Sequence, residues 1–163
     1  MRKLILLLVG AVLSMNSFSD NPAAKGIIGE ATIDGMPVIY KFTDKLPTSN
    51  IRSTLPLLVV ISWEYDGEKT NGMPVKEINE RMIFLEEAIE KEIESKGVVR
   101  HAYSKTGNNL KELVYYTTDQ STFLAELNFA LKTHPRYPIE ISFYEDKEWS
   151  DFKTVLSKFN LHG

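Results

Sequence analysis

Apolar and polar positions along the chain fall into short blocks that predict one element at a time. Residues 27–42 hold two β-prone runs around Asp34-Gly35, a pair suited to the positive backbone angles of a two-residue hairpin turn. A link containing Pro and Ser follows at 45–56. Residues 57–65 are nearly all apolar and rich in β-branched side chains, which predicts an interior strand covered on most of its surface. After a Gly-containing connection at 66–74, Ile78, Met82, Leu85, Ile89 and Ile93 recur at helical spacing over 76–96, and Gly97 supplies a stop. The opposite helix face, with Glu86, Glu87, Glu90, Lys91 and Glu94, reads as solvated, Glu87 and Lys91 forming an i to i+4 pair.

Residues 98–104 and 110–117 predict two antiparallel strands joined by 105–109, whose Gly and Asn residues tolerate a left-handed backbone. Asp119 is placed to cap a helix with Phe123, Leu127 and Ala130 or Leu131 inward. His134-Pro135 and Tyr137-Pro138 mark its end. Ile139, Ile141 and Phe143 then alternate with Glu140, Ser142 and Tyr144, the signature of a strand with one buried and one wet face. Asp146 can cap a last helix that buries Trp149, Phe152 and Leu156 or Val155.

From residue 55 the order is strand, helix, strand, strand, helix, strand, helix. This predicts an α+β fold: a ferredoxin-like βαββαβ antiparallel sheet with helices on one face, an added C-terminal helix and an N-terminal β-hairpin. The hairpin is free either to extend the sheet or to cover it. Residues 27–163 form a single domain in this reading, 27–54 being hairpin and link and 55–158 the βαββαβα core.

Several blocks taken together resemble the family catalogued as domain of unknown function family 695. They are Trp63-Glu64-Tyr65-Asp66-Gly67, Asn71-Gly72-Met73-Pro74, Leu85-Glu86-Glu87-Ala88, Tyr115-Tyr116-Thr117-Thr118-Asp119, Tyr137-Pro138-Ile139-Glu140-Ile141 and Glu145-Asp146-Lys147-Glu148-Trp149. The resemblance spans about residues 55–157 and rests on order and spacing. It implies a βαββαβ-type domain and no established activity, so no catalytic residue carries over.

The start of the chain changes the picture of where the protein works. Arg2 and Lys3 precede an apolar run over 4–13, and Ser17-Phe18-Ser19 places small residues after it, which reads as a signal peptide over 1–19 cleaved near Ser19. The run is too short to anchor a chain stably in a bilayer, which takes about 20 apolar residues. A periplasmic or secreted product is expected, with 20–26 as a flexible spacer. Removing the two leader cations from the 19 Lys and Arg, against 22 Asp and Glu, leaves a net charge of −5. Such a surface does not attract nucleic acid or anionic lipid, and 110–116 lacks the basic, Gly- and Phe-rich signature of an RNA-binding βαββαβ strand. The chain has no cysteine, which removes disulfides, thiol chemistry and Cys-type zinc sites.

Chemistry-bearing motifs are sparse. His101, His134 and His162 are far apart, without the spacing of a zinc helix. Neither a Gly-x-Ser-x-Gly elbow nor a phosphate-binding Gly loop occurs. Glu145, Asp146, Glu148 and Asp151 read as a solvated helix start rather than a cation site. Catalytic residues, metal and cofactor are therefore all expected to be none. If Ile139, Ile141 and Phe143 face the helices, period-two alternation sends Glu140 and Tyr144 to the open face, with Tyr115, His101, Tyr103 and Glu64, and with Lys111 and Ser62 beside them. These residues, or the 66–74 loop, are the expected binding surface for an unknown protein, peptide or small polar ligand. A homodimer is compatible with the pattern. The competing reading is a small periplasmic hydrolase or metal-dependent enzyme whose site is assembled from distant positions, such as His101 with Asp119 or Glu140.

Overall fold

The computed structural model describes residues 24–161. The signal peptide and its cleavage position, most of the spacer, and His162 lie outside the described residues. The protein is α+β, and its described residues form one six-stranded antiparallel sheet and four helices.

Strands β1 (Gly26–Ile33) and β2 (Met36–Thr43) form the N-terminal hairpin. Asp34 and Gly35 take φ of 51° and 80°, the twist that a two-residue turn imposes. Lys25 donates its amide to Asp44, so ordered structure reaches into the segment expected to be a spacer. The short helix α1 (Ser49–Thr54) occupies the expected link. It buries no residue of its own, so it left no apolar periodicity to read. Strand β3 (Leu57–Glu64) is followed by a 3-10 turn at Glu68–Thr70 and helix α2 (Lys76–Glu92). A second 3-10 turn at Glu94–Lys96 ends at Gly97, whose φ of 73° suits glycine.

Strands β4 (Val99–Gly107) and β5 (Leu110–Thr117) meet in a turn of only Asn108 and Asn109, both left-handed. It is tighter than the five-residue loop expected. Helix α3 (Gln120–Ala130) starts at Asp119, whose carboxylate accepts the Thr122 amide at 2.9 Å, and ends before the prolines. Strand β6 (Glu140–Glu145) and helix α4 (Ser150–Lys158) complete the chain.

The sheet order is β1-β2-β4-β5-β3-β6. The hairpin extends the sheet, with β2 pairing to β4, and β3 is interior between β5 and β6. Cross-strand register sorts side chains onto two faces. On one face Val59, Ile61, Leu113 and Tyr115 pack with Met82, Leu85 and Ile89 of α2 and Phe123 and Leu127 of α3. On the other, Leu58, Val114, Tyr116, Tyr103, Tyr40 and Phe42 pack with Trp149, Phe152 and Leu156. Helix α4 therefore covers much of the face that the sequence left open.

Candidate functional site

The residues expected to share one open face divide between two. Tyr115 pairs with Val59 and is 3% exposed beneath α2 and α3. His101 pairs with Tyr115 on that same side. Tyr103 points the other way, because the register slips between His101 and Tyr103. An extra residue in one strand reverses the faces of the residues beyond it. Tyr103 is buried under α4, and its hydroxyl donates to Asp151 at 2.8 Å. Only Glu64, Glu140 and Tyr144 remain on an uncovered part of the α4 side. Ser62 pairs with Glu140, and Ser142 with Val60, which fixes Ser62, Ser142 and Tyr144 on the same face as Glu140. Glu64, Glu140, Ser142 and Tyr144 are exposed. This corner carries acceptors, hydroxyls and one aromatic ring, and no described ion pair engages Glu64 or Glu140.

Beneath α2 lies a polar layer that helix periodicity did not reveal. Glu86, expected on the solvated face, instead turns toward the sheet. It pairs with the nearly buried Lys111 ammonium, and with Lys41 at 3.5 Å. Burial would raise its carboxyl, but the two ammonium groups outweigh it and hold the pKa below its ordinary value. Lys111, expected on the open face, shares the α2 side with Tyr115 and Leu113. The one advance signal was a lysine at the head of that otherwise apolar alternating row.

Glu94 also turns inward, accepting the His101 amide. Burial pushes its carboxyl up to about 7, the amide opposing and the nearby Glu90 adding to it. Burial likewise brings the His101 imidazole down to about 4, against the attraction of Glu86 and helped by Lys41 and Lys111. The neutral ring packs edge-on against Tyr115 at 5.4 Å. His101 thus lies near carboxylates, but the hollow beside Lys111 between α2 and the sheet has no room for a water molecule.

The remaining motifs are occupied by structure. Tyr65 donates its hydroxyl to the Gly72 carbonyl at 2.9 Å, and the Gly67 amide donates to the Asn109 side chain. These bonds pin the 66–74 loop to the β4–β5 turn. Tyr116 stacks on Trp149 with centroids 3.8 Å apart and donates to Asp146 at 2.6 Å. The Asp146 carboxylate also accepts the Ser150 and Asp151 amides, so it serves as the cap of α4. Burial raises the Asp146 carboxyl and these hydrogen bonds reverse that, leaving it below its usual value. Asp119 is held low by the Ser121 hydroxyl first, then by the Thr122 amide and hydroxyl. Trp63 lies under the Arg81 guanidinium at 5.2 Å and against Tyr137. A depression of about 200 Å³ at the start of α3 is lined by Leu57, Asp119, Gln120, Glu145 and Lys147. No group of three metal-ligating side chains occurs among the described residues. No helix among them is long and apolar enough to cross a membrane.

Fold and surface together define an α+β domain whose sheet is packed on both faces at its centre, leaving uncovered the polar corner at β6 and the outer face of the hairpin, where Ile28, Glu30, Thr32 and Lys41 are exposed. The chain belongs to a family of unknown function, DUF695, whose model matches residues 30–157. The match takes in most of the hairpin and α1 as well as the segment that carried the resemblance. No curated protein and no solved structure matches the chain.

Proposed function

We propose that this protein is an exported, non-catalytic binding module whose partner docks on the sheet corner formed by Ser62, Glu64, Glu140, Ser142 and Tyr144. One observation carries the reading: Glu140, Ser142 and Tyr144 stay exposed on β6 although Leu58 on the adjoining strand, and Val114 and Tyr116 on the strand beyond it, are buried on the same face. Tyr144 is 54% exposed although its cross-strand neighbour Leu58 is 7% exposed. Rigid, exposed aromatic and polar groups bind at small entropic cost. His101 is half-buried beside a Glu86 carboxylate already paired with Lys111 and Lys41, which suits a structural role better than hydrolysis. The leader pattern of residues 1–19 supports export. Within the sheet, the adjacency β4-β5-β3-β6 and the helix crossovers α2 and α3 support a ferredoxin-like core, with the hairpin attached beyond β4.

Titration of the isotope-labelled protein with a pooled library of soluble hexapeptides tests the docking site by NMR. Shifts should cluster on Ser62, Glu64, Glu140, Ser142 and Tyr144. Shifts confined to other surfaces, or steady turnover in an ester and peptide hydrolysis screen, would overturn the reading. Export is tested by the mass of the mature N-terminus, and a chain still beginning at Met1 would refute it.

A further inference from the structure

We propose that the partner of this corner is a basic, extended segment that adds to the sheet as a further strand beside β6. The inference rests on the binding reading above and deepens it. Strand β6 ends the sheet, and no described strand pairs with its outer side. An outer edge presents a row of free amides and carbonyls, and extended peptides use such rows as templates. Edges are commonly blunted by bulges, prolines or charged side chains, lysine above all, and the charges of β6, Glu140 and Glu145, stand only at its two ends. The run Glu140-Ile-Ser-Phe-Tyr-Glu145 has neither proline nor lysine, and its register with β3 is unbroken from Leu57 opposite Glu145 to Ser62 opposite Glu140. Ile141 and Phe143 pack on the α3 side but stay only partly buried, because a neighbouring row is missing on one flank. Apolar residues at alternate positions of an added strand would complete that burial.

Charge selects the occupant. The strand begins and ends in glutamate, Glu64 lies on the adjacent strand, and Glu148 comes shortly after, with Lys147 the cation among them. A second copy docked edge to edge would bring this same set of carboxylates together, and like-charge juxtaposition across an interface is costly, so this edge discourages its own copy. Glu64 and Glu140 favour Lys or Arg on the Glu140 and Tyr144 side of an incoming segment, and Glu145 favours a cation at its end on the other side.

The probe is an acetylated, amidated hexapeptide of alternating Lys and Val, with its Glu-Val counterpart as control. The Lys-Val peptide should bind and slow hydrogen exchange at alternate β6 amides. N-methylation in one alternating phase should abolish binding while the other phase leaves it intact. Changing Glu140→Lys together with Glu145→Lys, both exposed, should weaken the Lys-Val peptide about tenfold at low salt. Equal affinity for the Glu-Val peptide would overturn the proposal. So would Lys-Val shifts at Glu64 and Tyr144 without β6 protection, an outcome that leaves corner docking intact. If other hexapeptides shift the corner while Lys-Val does not, the strand proposal falls alone; if none does, both readings fall. Concentration-dependent β6 protection without peptide would assign the edge to a second copy instead.

Discussion

Glu94→Gln and His101→Gln should tilt the pH dependence of stability in opposite directions. In the fold the Glu94 carboxyl is raised to about 7 and the His101 imidazole lowered to about 4, both chiefly by burial. In the unfolded chain they titrate near about 4.3 and about 6.5. A carboxyl raised by folding contributes stability that is complete below its unfolded pKa and is lost as pH rises through the folded value. An imidazole lowered by folding contributes stability that is complete above its unfolded pKa and is lost as pH falls through the folded value. Each displacement of about 2.5 pH units is worth about 3 kcal/mol. Between pH 4.5 and 6.5 the two slopes oppose each other in the native protein. Relative to wild type, Glu94→Gln should therefore gain about 2 kcal/mol as pH rises across the window, and His101→Gln should lose about as much. Urea unfolding followed by fluorescence of the buried Trp63 and Trp149 reads both, and differences from wild type cancel the other titrating groups. A flat difference for Glu94→Gln, or one of the same sign as for His101→Gln, would refute the reasoning.

Lys111→Met leaves Glu86 with only Lys41 and should cost about 3 kcal/mol in urea unfolding, while adding Glu86→Leu should restore most of it, since a broken buried pair is worse than an apolar replacement. Asp146→Ala removes the acceptor of two α4 amides and of the Tyr116 hydroxyl and should cost about 2 to 3 kcal/mol, read the same way. Gly107→Ala should be at least as damaging, at about 3 kcal/mol, because φ is 145° and an added Cβ would lie 2.2 Å from the Pro37 carbonyl oxygen. NMR of that variant should show the disturbance centred on the β2–β4 junction.

Where a local rule and the tertiary structure agree, the chain was legible. Asp34-Gly35, Gly97, Asp119 and the alternation through Ile139, Ile141 and Phe143 all marked what they do in the fold. The faces of β4 and β5 were not legible, for two physical reasons. From Leu113 to Thr117 every residue of β5 is buried, since α2 and α3 lie on one side and α4 on the other; no alternation survived to say which side Tyr115 takes. In β4 the register slip after His101 broke period two, so residues two apart point in opposite directions. Glu86 was hidden differently. A glutamate on the flank of an amphipathic helix reads as solvated unless its partner is known, and Lys111 lies on a strand 25 residues away.

The motifs that carried the family resemblance gain a different meaning once their contacts are known. Tyr65, Gly67 and Gly72 hold a loop, Tyr116, Asp146 and Trp149 hold α4 on the sheet, Asp119 caps α3, and Trp63 packs against Tyr137 under Arg81. Each of these side chains has a structural task that accounts for its type. Glu64, at the end of interior strand β3, and Glu140, at the start of edge strand β6, lie within the same motifs but are exposed, without a described ion pair. Exposed carboxylates here add little to folding and keep the surface charged, which leaves them free to meet a partner. Those two residues fall on one face, with Ser62, Ser142 and Tyr144 between and beside them. Glu87, in another of the motifs, is exposed on the outer face of α2, whereas these two glutamates converge on the corner where the partner strand is proposed to dock.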